Sequence, residues 1–534
     1  MALRDNNSSA ARYGRTLVAG HFIDGRDVPA RKGETFHSLN PAFQDDIVGE
    51  FPLGGAHEVQ AACDAARRAF KNWSATPAPV RGQLIGRLGA ILLEQKEFLS
   101  RIVTREIGKP LRESRGEVQE AIDTAHFFQS EGRRLHGQTV PSEMRMKELM
   151  TYRRPIGVCG MITAGNFPIA VPSWKIIPAL LCGNTVVWKP SDDAPAIAHA
   201  FAQCLVAAGL PAGCLNVVHG GGAGGAGEAM VSAIGHGIDK VSFTGSSAVG
   251  RHIGAVAGAA LQVPSLELGG KNPMIVMDDA NVDLAVTGAL WAAYGTAGQR
   301  CTSLGNLILH EKIADAFVEK LAARARALKI GDPSLHEDID YGPMINTRFM
   351  EKFLVHGELE HSSHAQAVLF GERITEGRWP HFRGDAAKGL YVTPALWDHV
   401  HIMDELAQTE TFGPTVNVVR VPNFDEAMAA ANAHPYGLSS AIYTDNPKWR
   451  LRFKNEIQAG MSSINNSTTG AEAHLPFGGI KASGNGTRES GVWVIDAYTR
   501  WHCVNIDDSG GLQLAQIETE EVAGGVAEDL AGLV

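Results

Sequence analysis

Ile156-Gly157-Val158-Cys159-Gly160-Met161-Ile162 is a short apolar run, and Thr185-Val186-Val187-Trp188 repeats its texture after a helical stretch at 169–182. Runs of this length and composition, bounded by turn residues, read as strands buried on both faces. Outward from there the pattern continues with a helical stretch at 195–208, the strand Cys214-Leu215-Asn216-Val217-Val218, and Lys240-Val241-Ser242-Phe243 leading into Thr244-Gly245-Ser246. Short apolar strands alternating with helices imply a parallel sheet, so the fold class is α/β. Beyond Glu267 the alternation resumes with a strand at 273–277, a helix at 281–297, a strand at 304–309 and a helix at 312–328. That predicts a second α/β domain. Ahead of the quoted run, 58–72, 79–106 and 112–135 read as helices, the first with Val59, Ala62, Ala65, Ala66, Ala69 and Phe70 on one stripe.

At 534 residues the chain calls for two or three domains. Hydrophobic residues at 44% and charged residues at 20% suit a globular enzyme. No apolar run reaches the roughly eighteen residues of a membrane span, and the polar start lacks a signal core, so a cytoplasmic protein without a membrane partner is expected. A net charge of -10 leaves no basic stripe for nucleic acid. Seven scattered cysteines without a CxxC pair suit reduced thiols. His361-x-x-His364 and His399-x-His401 lack companion ligands at metal-binding spacing, so no metal is expected. From Asp507 onward the chain carries acidic residues and no Lys or Arg, and reads as a disordered tail or one packed late against the body.

Two short stretches carry chemistry. Cys301 lies in Gly298-Gln299-Arg300-Cys301-Thr302 and Glu267 in Glu267-Leu268-Gly269-Gly270-Lys271. A thiolate adds to carbonyl carbons, and a carboxylate can deprotonate the water that later releases the adduct. Phe243-Thr244-Gly245-Ser246-Ser247-Ala248-Val249-Gly250 follows a strand and opens a helix. Exposed amides there suit a pyrophosphate, although such a turn taken alone is more often a plain helix cap and the stretch is not the GxGxxG fingerprint. Lys189-Pro190-Ser191-Asp192 ends another strand, where Lys189 serves either as a ribose ligand or as a solvated lysine.

Seven motifs in family order make the chain resemble the aldehyde dehydrogenase superfamily from about residue 20 to about 505: Thr163-Ala164-Gly165-Asn166-Phe167-Pro168, Trp188-Lys189-Pro190-Ser191, Phe243-Thr244-Gly245-Ser246, Glu267-Leu268-Gly269-Gly270, Gly298-Gln299-Arg300-Cys301-Thr302, Glu410-Thr411-Phe412-Gly413-Pro414 and Pro476-Phe477-Gly478-Gly479-Ile480-Lys481. The resemblance implies a Rossmann-like cofactor domain at 16–137 and 156–266 and a catalytic domain at 267–478. It further implies a small β oligomerisation arm at 138–155 and 484–505, an acidic tail at 507–534, and assembly as a homodimer or homotetramer. Cys301 matches the family nucleophile, Asn166 the oxyanion donor and Glu267 the general base. Lys175 matches a residue of ribose contact and proton relay. Thr163, Trp174, Lys189, Asp192, Gly245, Ser246, Glu410 and Phe412 match cofactor positions. The cofactor implied is NAD. Asp192 stands where many NAD-preferring members carry Glu, and its shorter arm leaves NADP open. The glycine-rich Gly220–Gly225 connection has no counterpart in this reading beyond flexibility.

For the aldehyde, Glu117-Val118-Gln119-Glu120, Arg300 and Thr468-Thr469-Gly470-Ala471-Glu472 resemble the α-aminoadipic semialdehyde dehydrogenase branch. There the Glu matching Glu120 binds a substrate amino group, while Arg300 and the Gly470-Ala471 loop anchor a carboxylate; a solvated Glu120 and an incidental Arg300 are the alternative. A small-molecule semialdehyde with a distal carboxylate is expected, against a broad-specificity aliphatic or aromatic aldehyde. The stretch from Pro476 to Gly484 departs from that branch. A CoA-acylating relative is disfavoured by Glu267, and a non-catalytic relative by Cys301, Glu267 and Asn166 together.

Overall fold

The computed structural model describes residues 12–31, 33–359 and 365–514, with the backbone of 2–4. The quoted strands lie at the centre of a seven-stranded sheet in the order Ser265–Glu267, Lys240–Thr244, Val158–Ile162, Thr185–Lys189, Leu215–Val217, His21–Ile23, Arg26–Val28. The first five are parallel, and the hairpin formed by the last two closes the edge in antiparallel fashion. Chain order runs one way from Val158–Ile162 to Leu215–Val217, then jumps back to Lys240–Thr244. Strand order therefore reverses between Val158–Ile162 and Lys240–Thr244, and open α/β sheets bind ligands beyond the strand C-termini at such a point.

Helices Ala78–Glu94, Lys96–Ile107, Leu111–Glu131, Ala170–Leu181 and Pro195–Ala207 form one apolar core with this sheet, with Leu88, Phe128, Ile176, Trp188 and Phe201 fully buried. The expected helix over 79–106 is two helices, because the chain turns at Gln95 (φ -91°, ψ 8°). A second sheet runs Gln366–Leu369, Ala395–Asp398, Thr415–Val421, Leu304–His310, Asn272–Val276, Ser439–Tyr443, Met461–Ile464, parallel except at its first pair. The expected helix over 281–297 stops at Tyr294; a tight turn follows, with Thr296 (φ 53°) and Ala297 (φ 52°) in the left-handed region. Gly298 (φ 67°) completes it, and a Cβ there would overlap the Gly413 carbonyl. Only glycine combines that backbone with that approach.

Lys147–Pro155 pairs antiparallel with Thr499–Asp507 over nine residues, with Thr139–Val140 on the other side. Of the segment expected at 484–505, only the part from Thr499 joins this arm. Residues 484–498 are tied to the body instead: Gly484 bridges Glu267, Leu266 N–H donates to Asn485 Oδ1 at 3.3 Å, and Glu489 reaches Lys175. The tail beyond Leu514, like the His361-x-x-His364 pair, lies outside the described residues. Among the described residues no helix is long and apolar enough to cross a membrane, and no three His, Cys, Asp or Glu side chains cluster for a metal.

Candidate active site

At the reversal point lies a cavity of about 630 Å³ whose walls include Thr163, Asn166, Lys189, Ser246, Cys301 and Glu410. Each strand end contributes directly. Thr163 Oγ1 accepts from Trp188 Nε1 at 2.9 Å, which fixes the loop after the first quoted strand. Lys189 Nζ donates to Asp192 Oδ1 at 2.9 Å; Asp192 is not part of the cavity wall and acts on it through Lys189. Ser246 caps the helix Ser247–Ala259, its Oγ accepting from Val249 N–H at 3.4 Å, and Gly245, Ser246, Ala248 and Val249 face the cavity. The first turn of that helix has unused N–H groups, a fit for pyrophosphate. Opposite, Glu410 Oε1 accepts from Gly270 N–H at 3.0 Å, and a Cβ on Gly269 would overlap the same carboxylate. Phe412 holds a left-handed backbone (φ 58°) with its ring against Phe349 at 5.0 Å. Strain of this kind persists where surrounding structure enforces it.

Cys301 follows the left-handed turn, on a loop held by Asn272, whose Nδ2 donates to the carbonyls of Cys301 (2.8 Å) and Ser303 (2.7 Å). Its side chain packs into a cluster with Phe167, Val171, Trp174 and Phe477. Burial, and then the nearby carboxylates Glu267 and Glu410, push the thiol up to about 12. Asn166 Nδ2 donates to the Gln299 carbonyl at 3.0 Å. One N–H of that amide is thereby anchored two residues from the sulfur, and the other remains for a ligand oxygen. Glu267 ends its strand with both carboxyl oxygens buried, neither at bonding geometry to a donor among the described residues. Its Oε1 lies where a Cβ on Gly478 would come within 2.7 Å. Burial, reinforced by Glu489, holds its pKa well above the ordinary carboxylate range.

Two expected cofactor contacts lie elsewhere. Lys175 is fully buried, its ammonium donating to Glu489 Oε1 and, at 2.8 Å, to Ser242 Oγ. It does not line the cavity and sits behind its wall. Trp174 likewise packs against Phe477 at 4.9 Å, within the apolar cluster around Cys301 rather than beneath a cofactor. Both point inward because the helix Ala170–Leu181 is buried along its whole length. Glu489 carries no local sequence signal; it stands 314 residues from Lys175, and only the fold joins them.

On the far side of Phe167 a second cavity of about 640 Å³ is bordered by Lys109, Glu113, Glu117, Glu120, Trp291 and Arg300. The three carboxylates sit at i, i+4 and i+7 on Leu111–Glu131, hence on one face. Glu113 takes Arg300 Nη2 at 2.7 Å and the Thr296 hydroxyl, while Arg300 Nε donates to Thr296 Oγ1 at 3.0 Å. The edge of the guanidinium expected to grip a substrate carboxylate is thus already engaged; its Nη1 end remains, with the guanidinium carbon 4.4 Å from the centre of the Trp291 ring. Glu117 takes Lys109. Glu120 Oε1 alone is buried without a partner, and burial, with Glu117 beside it, pushes this carboxyl up to about 8. Glu120 also borders a smaller space of about 350 Å³ shared with Ala471 and Glu472. Gly470 (φ 128°) turns the chain just before Ala471 and lines neither space.

The family described as "Aldehyde dehydrogenase family" matches residues 28–504. The α-ketoglutarate semialdehyde dehydrogenase of Haloferax volcanii is 38% identical over 480 residues, covering 90% of this chain and 97% of the relative. The NADP(+) succinate-semialdehyde dehydrogenase of Escherichia coli is 35% identical over 503 residues, 94% of this chain and 99% of the relative. A crystal structure of an NAD-dependent aldehyde dehydrogenase from Sinorhizobium meliloti superimposes with a TM-score of 0.88 at 32% identity, over 96% of this chain and 98% of that one. A family match over residues 28–504 and relatives aligned nearly end to end, across both sheets and the loop of Cys301, show that the chain belongs to the aldehyde dehydrogenase family.

Proposed function

We propose that the protein oxidises a semialdehyde bearing a distal carboxylate to the corresponding acid, with NAD as cofactor. The observation that carries the chemistry is the convergence of a cavity-facing thiol, an anchored amide and an unpartnered buried carboxylate at the sheet reversal. Cys301 passes its proton to solvent water, and the thiolate sulfur bonds to the aldehyde carbon as the C=O π bond opens. The carbonyl oxygen becomes an oxyanion that accepts from the free N–H of Asn166, a donor of a type worth a few kcal/mol. A nicotinamide dinucleotide held in this cavity would supply hydride acceptance, and with the hydride gone from the adduct carbon Cys301 would carry a thioester. Glu267 then takes a proton from water as the water oxygen attacks the thioester carbon. The C–S bond breaks, the acid departs and the thiolate is regenerated. Glu489 and Lys175, buried next to Glu267, give that proton a route away from the site.

The cavity fits the dinucleotide. The helix-start amides at Ser246 would hold a pyrophosphate, Glu410 and Lys189 would meet ribose hydroxyls, and Val231, Val249 and Ile253 would offer an apolar wall for a base. Asp192, paired with Lys189, disfavours a 2′-phosphate by charge, and this supports NAD over NADP. Support for a carboxylate-bearing aldehyde comes from Arg300 at the second cavity and from the relatives named for such semialdehydes. A broad-specificity aldehyde dehydrogenase is the second reading, favoured by the engaged Arg300 edge and the aromatic walls Phe167 and Trp291. Exposed Trp501, Ile506 and Tyr152 on the arm support assembly as a dimer or tetramer, and a cytoplasmic location is the accompanying expectation.

The test is NADH or NADPH formation with 2,5-dioxopentanoate, 5-oxopentanoate, pentanal and benzaldehyde, each run with NAD and with NADP. A higher kcat/KM for the two carboxylate-bearing aldehydes is expected. Equal values across the panel select the second reading, and no reduction of either cofactor by folded protein overturns both.

A further inference from the structure

The loop that carries Asn166 has no cap of its own. It runs from strand Val158–Ile162 to helix Ala170–Leu181, whose N-cap, Ile169, offers no side-chain acceptor. Its geometry is imposed from outside. Glu117, on the neighbouring helix Leu111–Glu131, accepts from Ile169 N–H at 3.0 Å and Ala170 N–H at 3.3 Å through Oε1. Its other oxygen takes Lys109, the residue before Pro110 and the start of that helix. Lys109 in turn donates to the Asn166 carbonyl at 2.8 Å and lies 3.6 Å from the centre of the Phe167 ring. An ammonium has three hydrogens to place, and here a carboxylate, a carbonyl and an aromatic face receive them. Lys109 is 1% exposed and Glu117 2%. Two buried charges are a costly way to join a helix to a loop, and apolar residues often do as well. What apolar packing would not supply is direction.

We propose that Lys109, held by Glu117, is a positioning residue for the Asn166 amide: it pins the Asn166 carbonyl while Gln299 pins the amide, so that the remaining N–H is aimed at the oxyanion before the aldehyde arrives. The inference rests on the reading of Asn166 as oxyanion donor. Burial lowers the Lys109 pKa, and the Glu117 carboxylate opposes part of that shift.

A purely structural role and a positioning role are separated by a double-mutant cycle on the NADH burst, run on the full-length enzyme with NAD and 2,5-dioxopentanoate. Lys109→Met should slow the burst about tenfold or more, since small misplacements of a reacting group cost that order of rate, with the KM for NAD unchanged. In an Asn166→Ala background the same substitution should cost less than about twofold, because the group it aims is gone. Equal factors in both backgrounds, or an unchanged burst in folded Lys109→Met, overturn the proposal. If Asn166→Ala itself leaves the burst untouched, the oxyanion reading fails first. Lys109→Met strands Glu117 in the interior; should that variant not fold, Lys109→Met/Glu117→Gln removes both charges together. A slowed burst is expected from it as well, and a wild-type burst from this folded pair rejects the proposal.

Discussion

Glu267 and Glu489 are carboxylates buried side by side, and they differ in company: Glu489 holds the Lys175 ammonium, whereas Glu267 makes no ion pair among the described residues. On the proposed mechanism that difference divides proton storage from proton abstraction. With a pKa raised by burial and by Glu489, Glu267 becomes a base only as the pH climbs, so steady turnover limited by thioester hydrolysis should increase with pH. Glu267→Gln should keep the NADH burst and lower steady turnover by about 100-fold or more, and the rising limb should vanish; a variant lacking the burst would place Glu267 earlier in the reaction. Glu120 yields a second expectation. Its carboxyl, up at about 8, is neutral at pH 7 and tolerates a carboxylate beside it. Above that pH it ionises and repels. KM for 5-oxopentanoate should therefore rise between pH 7 and 9 while KM for pentanal stays level, and Glu120→Gln should flatten the rise; parallel behaviour of the two aldehydes would remove Glu120 from the substrate site.

At the scale of elements, the turn after Tyr294 decides where the sulfur stands. Gly298 sits in the left-handed region against the Gly413 carbonyl, so Gly298→Ala must displace the loop of Cys301. A kcat lower by about 100-fold with cofactor affinity retained is expected from kinetics and calorimetry; near-normal turnover would show that the loop tolerates the shift. This turn also marks the edge of what the sequence allows one to read. The central strands were legible because burial on both faces leaves an apolar signature, while Cys301, Glu267 and Asn166 were singled out by the order of seven motifs rather than by their own neighbours, and Cys301 and Asn166 do meet at one cavity. The helix break at Gln95 and the left-handed pair Thr296 and Ala297 were not legible, since ordinary helix formers occupy those positions and tertiary contacts override them. Acidic spacing on Leu111–Glu131 was visible, but which carboxylates would be neutralised depended on Lys109 and Arg300, which arrive from other elements. The edge hairpin His21–Val28 was missed because its strands are three residues long.

Across the whole molecule, that hairpin buries two histidines. His219 N–H donates to His21 Nδ1 at 3.1 Å, both rings are buried, and the His219 ring lies 5.0 Å from Phe51. Burial brings His21 down to about 4 and His219 well below its ordinary value. Folded pKa values below the unfolded one mean that the unfolded chain binds these protons first. The stability they hold is intact above pH 6.5 and drains away as the pH falls from there towards 4. His219→Phe, which keeps the backbone N–H and the ring volume, should shrink the loss of Tm between pH 7 and pH 5 by at least about 2 °C relative to the wild type. An identical loss in both proteins would assign the acid sensitivity elsewhere.

Lys175 finds its counter-ion 314 residues further along the chain. During synthesis the entire cofactor half leaves the ribosome before Glu489 exists, and a buried ammonium without a partner costs several kcal/mol. That half therefore cannot seal its interior on its own. A late segment supplies the counter-ion of the first sheet's buried lysine, so a nascent chain cut short before Glu489 leaves Lys175 without it.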